Sequence, residues 1–153
     1  MNTQALSAAH RLFRGRQNIV TSSLLREHGY HYTVAFGCSL PDVKQLAGVI
    51  RDGFSDSESP FYGLDATSLA EALWADERIR ESRMIAPMLY PQGTMTVEVA
   101  ERWARQIPTA EIADVVCMYA FQYGIGQELI RRWQDSDDRM LRYCANSLQR
   151  RLS

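Results

Sequence analysis

The sequence predicts an all-α protein, a short right-handed solenoid of three to four helical hairpins behind an N-terminal helical segment. Three observations carry this. Capped amphipathic segments follow one another over most of the 153 residues. Strand signals are nearly absent: YTVAFG, at 32–37, is the one β-like run, and an isolated run makes no sheet. The tryptophans Trp74, Trp103 and Trp133 fall 29 and 30 residues apart. Each closes an amphipathic helix that a polar turn and a more apolar helix follow, which is the signature of stacked hairpins.

The elements follow in chain order. MNTQALSAAHRLFRGRQ is basic but lacks the apolar centre of a secretory signal, so it reads as an ordinary amphipathic first helix rather than a transit peptide. SLPDVKQLAGVIRDG offers Ser39 as a cap, Pro41 in the first turn, Asp42 near the positive helix end and Gly53 as a stop. Residues 52–65 are rich in Ser, Gly and Asp and read as a mobile loop. DATSLAEALWAD has Asp65 or Thr67 as its cap and puts Leu69, Ala72 and Leu73 on one face. ERIRESRMIAPMLYP turns Ile79, Met84, Ile85, Met88 and Leu89 inward, and Pro87 should kink or shorten it. TMTVEVAERWARQ begins at a threonine with Glu98 just inside, as in a capping box. TAEIADVVCMYAF, GQELIRRWQDS and DDRMLRYCANSLQRRLS complete the array.

Length and composition suit one soluble domain over 1–153. No apolar run approaches the roughly 20 residues that span a bilayer, so no membrane partner is expected. Three scattered cysteines, Cys38, Cys117 and Cys144, make no disulfide framework and suit a reducing cytoplasm. The formal net charge is −1, which excludes a general polyanion binder, but the charge is unevenly spread. Residues 1–26 carry four arginines and no acid; residues 125–153 carry six arginines against four acids; residues 42–100 carry ten acids against five bases. Lys44 is the single lysine among seventeen basic residues. Arginine suits bidentate contact with carboxylate or phosphate, and local ion pairing on helix surfaces competes for it.

The chemistry narrows to one acid. His28 and His31 stand three apart, but Gly29 breaks a shared helical geometry and no further ligand is near, so no metal is expected. No glycine-rich phosphate loop and no nucleophile motif is present, and no cofactor is expected. Asp114 lies among Ile112, Val115, Val116, Met118 and Phe121, where a carboxylate is costly unless paired, hydrogen-bonded or facing a cleft. Aligned from the tryptophans, Glu81 and Arg83, Asp114, and Arg142 and Tyr143 stand at matching heights on the second helices. Asp114 could pair there with Arg80, Arg83 or Arg142, or face a groove and stabilise positive charge in a ligand.

These residues resemble the HEAT-like DNA alkylation repair family, whose active members are alkylpurine DNA glycosylases. The resemblance runs from about Tyr30 to Leu152 and rests on YHYTVAFGCSLPDVKQLA, SLAEALWADERIRESRMIAPML, VEVAERWARQIPTAEIADVVCMYAF and RRWQDSDDRMLRYCANSLQRRL. It implies a HEAT-like solenoid that binds duplex DNA on a basic concave face and excises cationic alkylated purines without a metal. It also implies that Asp114 is the carboxylate that stabilises the developing oxocarbenium charge. Arg142 is the nearest match to the family's phosphate-holding arginine, and a shift of one would put Tyr143 there. With Arg142, the arginines Arg80, Arg83, Arg102, Arg105 and Arg131 make the candidate DNA contacts.

Ala110 stands one turn before Asp114, where the family has a tryptophan against the sugar. A further catalytic aromatic of the family falls beyond Ser153, and a lysine-rich surface is missing. The expectation is a DNA-binding repair-like protein with glycosylase activity weak or lost. Two alternatives stand beside it: an active glycosylase using Asp114, and a non-enzymatic scaffold that holds a protein or peptide partner.

Overall fold

The computed structural model describes residues 3–153, and among them every regular element is helical. Nine α-helices, numbered in chain order, and one π-helical segment form two compact units, one ending at Leu89 and one spanning Tyr90–Ser153. Neighbouring helices pack on one another, so the fold is all-α and solenoid-like, as the sequence predicts.

The first unit holds α1 (Thr3–Arg14), α2 (Ile19–Glu27), α3 (Leu40–Gly53), α4 (Ala66–Ala75) and α5 (Arg80–Leu89). Apolar residues at helical spacing make its core: Ala5, Ala9 and Phe13 of α1, Val43, Ala47 and Ile50 of α3, Leu69 and Leu73 of α4, and Met84 and Ile85 of α5. Ser39 and Asp65 cap α3 and α4 as read from the sequence, accepting from the N–H of Asp42 and Ser68. Pro87 lies inside α5, which ends two residues later at Leu89. Residues 52–65 form hydrogen-bonded turns around a buried Phe61.

The β-like run makes a single parallel bridge between Val34 and Ile79. Val34 N donates to Arg78 O at 2.8 Å, and Arg80 N donates to Val34 O at 3.0 Å. Beyond it the strap is held by a buried charge. The Glu81 carboxylate accepts from the N–H groups of Phe36, Gly37 and Cys38 at 3.0, 3.0 and 3.1 Å, and from Arg80 Nη1 at 2.6 Å. Arg80 Nη1 also donates to Cys38 O at 3.1 Å. A buried ion pair persists when its remaining donors and acceptors are satisfied, and these contacts satisfy them. Burial, and next the neighbouring Glu81, push the Cys38 thiol up to about 12. Gly37 adopts φ +81°, and a Cβ there would stand 2.1 Å from Asn18 O, so glycine lets the strap lie against the start of α2.

The second unit holds α6 (Val97–Arg105), α7 (Ala110–Val116), the π segment (Cys117–Phe121), α8 (Gly126–Trp133) and α9 (Arg139–Leu152). Thr96, Thr109 and Asp138 cap α6, α7 and α9. Helix α9 packs against α6, α7, the π segment and α8. Trp103 meets Tyr90 edge-on at 5.6 Å, and Trp133 meets Phe121 at 5.5 Å. Trp74, Trp103 and Trp133 are all buried near the C-terminal ends of α4, α6 and α8, so their spacing in the sequence recurs in the fold; α4 packs on α5 and α8 on α9, while α6 and α7 both pack on α9. The segment read as one long helix, TAEIADVVCMYAF, is divided: seven α-helical residues give way to a π turn at Cys117.

Candidate functional site

Asp114 lies on α7, four residues into a helix whose start Thr109 fixes through a 3.3 Å bond from Ile112 N. Ile112, Ala113, Val115 and Val116 around it are buried, while Asp114 itself is half-buried. Its charge is therefore carried at the edge of the core. The sequence left Arg80, Arg83 and Arg142 as candidate partners. The structure gives Asp114 a neutral one instead: the Tyr143 hydroxyl donates to Oδ1 at 2.9 Å. Among the described residues the other oxygen, Oδ2, takes no protein hydrogen bond or ion pair.

Tyr143 reaches Asp114 because α9 packs on α7 and because its own first turn is fixed. Asp138 accepts from the N–H groups of Met140 and Leu141, at 2.8 and 3.2 Å. The neighbouring Arg142 is drawn back, and its Nη1 donates to Ser136 O. The contact joins residues 29 apart, one step of the tryptophan repeat. That register was present in the sequence. The partner does not stand out there, because the several arginines at the same height are commoner partners of a carboxylate than a phenol is.

Behind Asp114 the wall is apolar and carries two thiols. Cys117 Sγ lies 3.9 Å from Cys144 O, and both cysteines are buried. The hydrogen bond from Cys117 and then burial raise the Cys144 thiol far above its ordinary value, so it stays protonated and inert. The π segment starts here, with Gln122 N reaching Cys117 O at 3.3 Å. Ala110 is the first residue of α7, and its methyl offers no aromatic surface one turn before Asp114.

The six candidate arginines divide between the units. In the first unit Arg80 is buried against Glu81 and Cys38 O, and Arg83 is buried with its guanidinium 4.4 Å from the Trp74 ring centre and 3.8 Å from Glu77. Burial lowers the Arg83 pKa, an effect that the charges of Glu77 and Asp76 partly offset. Both side chains are engaged inside the protein. In the second unit Arg102, Arg105 and Arg131 are exposed and Arg142 is half-buried. Arg105 lies 3.7 Å from both Glu101 and Asp138, and Arg131 and Arg132 share Glu128. Those two arginines hold the Glu128 carboxyl below its usual range, chiefly by hydrogen bonding. Exposed pairs of this kind are weak and can exchange partners.

Among the described residues no group of three or more His, Cys, Asp or Glu could hold a metal ion, and no helix is long and apolar enough to cross a membrane. A family model described as DNA alkylation repair enzyme matches residues 12–152. Neither a curated protein nor a solved structure matches the chain.

Proposed function

The chain belongs to the DNA alkylation repair enzyme family, whose model covers residues 12–152, and from that premise we propose that it binds duplex DNA as a repair-like protein with base excision weak or lost. The observation that carries this reading is the half-buried carboxylate of Asp114, oriented by Tyr143 with one oxygen uncommitted. Such an anion suits a cationic sugar, and an anion positioned in advance is what an oxocarbenium-like transition state requires. The family resemblance also calls for an aromatic wall against the lesion's sugar, one turn before the carboxylate. Ala110 supplies none, so Asp114 alone yields slow chemistry or no chemistry.

Arg102, Arg105, Arg131 and Arg142 are the phosphate contacts in this reading. Arg80 and Arg83 support the fold around the Glu81 strap instead. A mobility-shift titration with a duplex at low salt tests the binding. Micromolar affinity that weakens as salt is added is the expected result, and no salt-sensitive complex at micromolar protein removes the reading. Incubation with methylated DNA tests the chemistry: the expected release of base is at or near background. Robust release that Asp114→Asn abolishes would establish the active glycosylase instead.

One observation favours the scaffold alternative. Arg105 and Arg131 already face acids, which lowers the charge left for phosphate. A protein that ignores duplex DNA at low salt yet binds a basic or apolar peptide would favour that second reading.

A further inference from the structure

We infer that Tyr143 is a positioning residue for Asp114, holding Oδ1 so that Oδ2 is presented in one fixed direction to a cationic ligand at an abasic-like position of DNA. The inference rests on the DNA-binding reading above and deepens it by giving a second residue, Tyr143, a role at the same carboxylate.

The argument begins with the geometry. A carboxylate on the edge of a helix rotates about its last torsion and spreads its charge over two oxygens and the water around them. The 2.9 Å bond from the Tyr143 hydroxyl removes that freedom. The donor is neutral, so it orients the anion without cancelling its charge, as Arg142 would if it sat there. Arg142 Nη1 instead donates to Ser136 O. The phenol itself is placed by a well-fixed helix: Leu141, Cys144 and Ala145 on either side of it are buried, and Asp138 holds the first turn of α9. Apolar surroundings on α7 exclude water from the rear of the carboxylate, which strengthens its attraction for a cation in front. Arranging dipoles and charge before the ligand arrives is what makes an anion effective there.

The test compares two duplexes. One carries a pyrrolidine abasic nucleotide, a protonated mimic of a positively charged sugar. The other carries the neutral tetrahydrofuran abasic nucleotide. Titrations by fluorescence anisotropy give the ratio of the two affinities for the wild type, Asp114→Asn and Tyr143→Phe, after thermal melting has been read for each. The wild type is expected to prefer the cationic duplex, and Asp114→Asn to lose that preference. Tyr143→Phe is expected to lose about fivefold or more of the cationic-to-neutral affinity ratio. A purely structural tyrosine would lower both affinities together and leave the ratio alone.

A measurement on the unmutated protein guards against a variant that folds poorly. The Tyr143 Cζ resonance should move when the cationic duplex binds and stay in place with the neutral one. If the wild type prefers the cationic duplex and Tyr143→Phe keeps that preference in full or increases it, the positioning role is overturned and Asp114 keeps its own. If the wild type binds both duplexes equally, the cation site is overturned while DNA binding stands. If it binds neither, the DNA reading falls and this inference with it.

Discussion

At the scale of single residues, the largest energetic commitment in the first unit is Glu81. It is fully buried and accepts four hydrogen bonds, three from the strap and one from Arg80. Glu81→Ala leaves the Arg80 guanidinium buried without its counter-ion and three N–H groups without an acceptor. The expected loss is about 3–5 kcal/mol in urea denaturation, because breaking one partner of a buried pair costs more than the pair contributes. A loss under about 1 kcal/mol would mean that water replaces the carboxylate. Asp65 gives a second prediction, in pH. The Ser68 N–H, and next its hydroxyl, bond the carboxylate and hold its pKa below 3.8. A depressed carboxylate contributes stability that is present above the unfolded value and is lost as pH falls through the folded one. The stability gap between the wild type and Asp65→Ala should therefore be constant near neutrality and shrink below pH 3.8. A gap that stays constant down to pH 2 would show that the cap does not depend on charge. Neither network was legible in full. Asp65 shows as a cap because capping is local, whereas Glu81 finds its partners more than forty residues back, where no periodicity points.

At the scale of elements, caps and apolar spacing are what the sequence shows best. Ser39, Asp65 and the threonine opening α6 are legible because each lies within three residues of the N–H it serves. Helix α2 was not legible as a separate element: none of its residues is buried, and Ile19, Val20 and Leu24 point outward, so it lacks the inward stripe that betrays a helix. The π turn was missed for a different reason. It inserts one residue into a ladder whose apolar pattern continues unbroken through Cys117, Ala120 and Phe121. These elements make a prediction about α7. With seven α-helical residues it is too short to hold by propensity alone, and its start depends on the Thr109 hydroxyl. Thr109→Ala should cost about 1 kcal/mol in chemical denaturation, and Thr109→Ser should restore most of it. Equal stability of all three forms would show that packing against α9 alone fixes this helix.

At the scale of the whole molecule, fold and function separate. The tryptophan rhythm was visible because each repeat must bury one large side chain between its helices, so the architecture is written at fixed intervals. The division into two compact units was harder to see: Pro91 and Gly93 follow the boundary at Leu89 and Tyr90, but so short a turn looks the same as the turns within each unit. The carboxylate of the candidate site was legible as an acid among apolar residues, but its partner depended on α9 packing against α7. Charge was legible only as a count. A net charge of −1 leaves affinity for DNA to the few arginines that can leave their acids for phosphate. If Arg102, Arg105, Arg131 and Arg142 each neutralise one phosphate, the log of the affinity should fall against the log of salt with a slope of about −3 to −4. Arg131→Ala should reduce the steepness by about one, since each phosphate contact releases close to one counterion. A slope near zero would separate this chain from phosphate altogether. A much steeper slope, near −8, would demand cations beyond these four, and Arg139, Arg150 and Arg151, all exposed on α9, are the next in line.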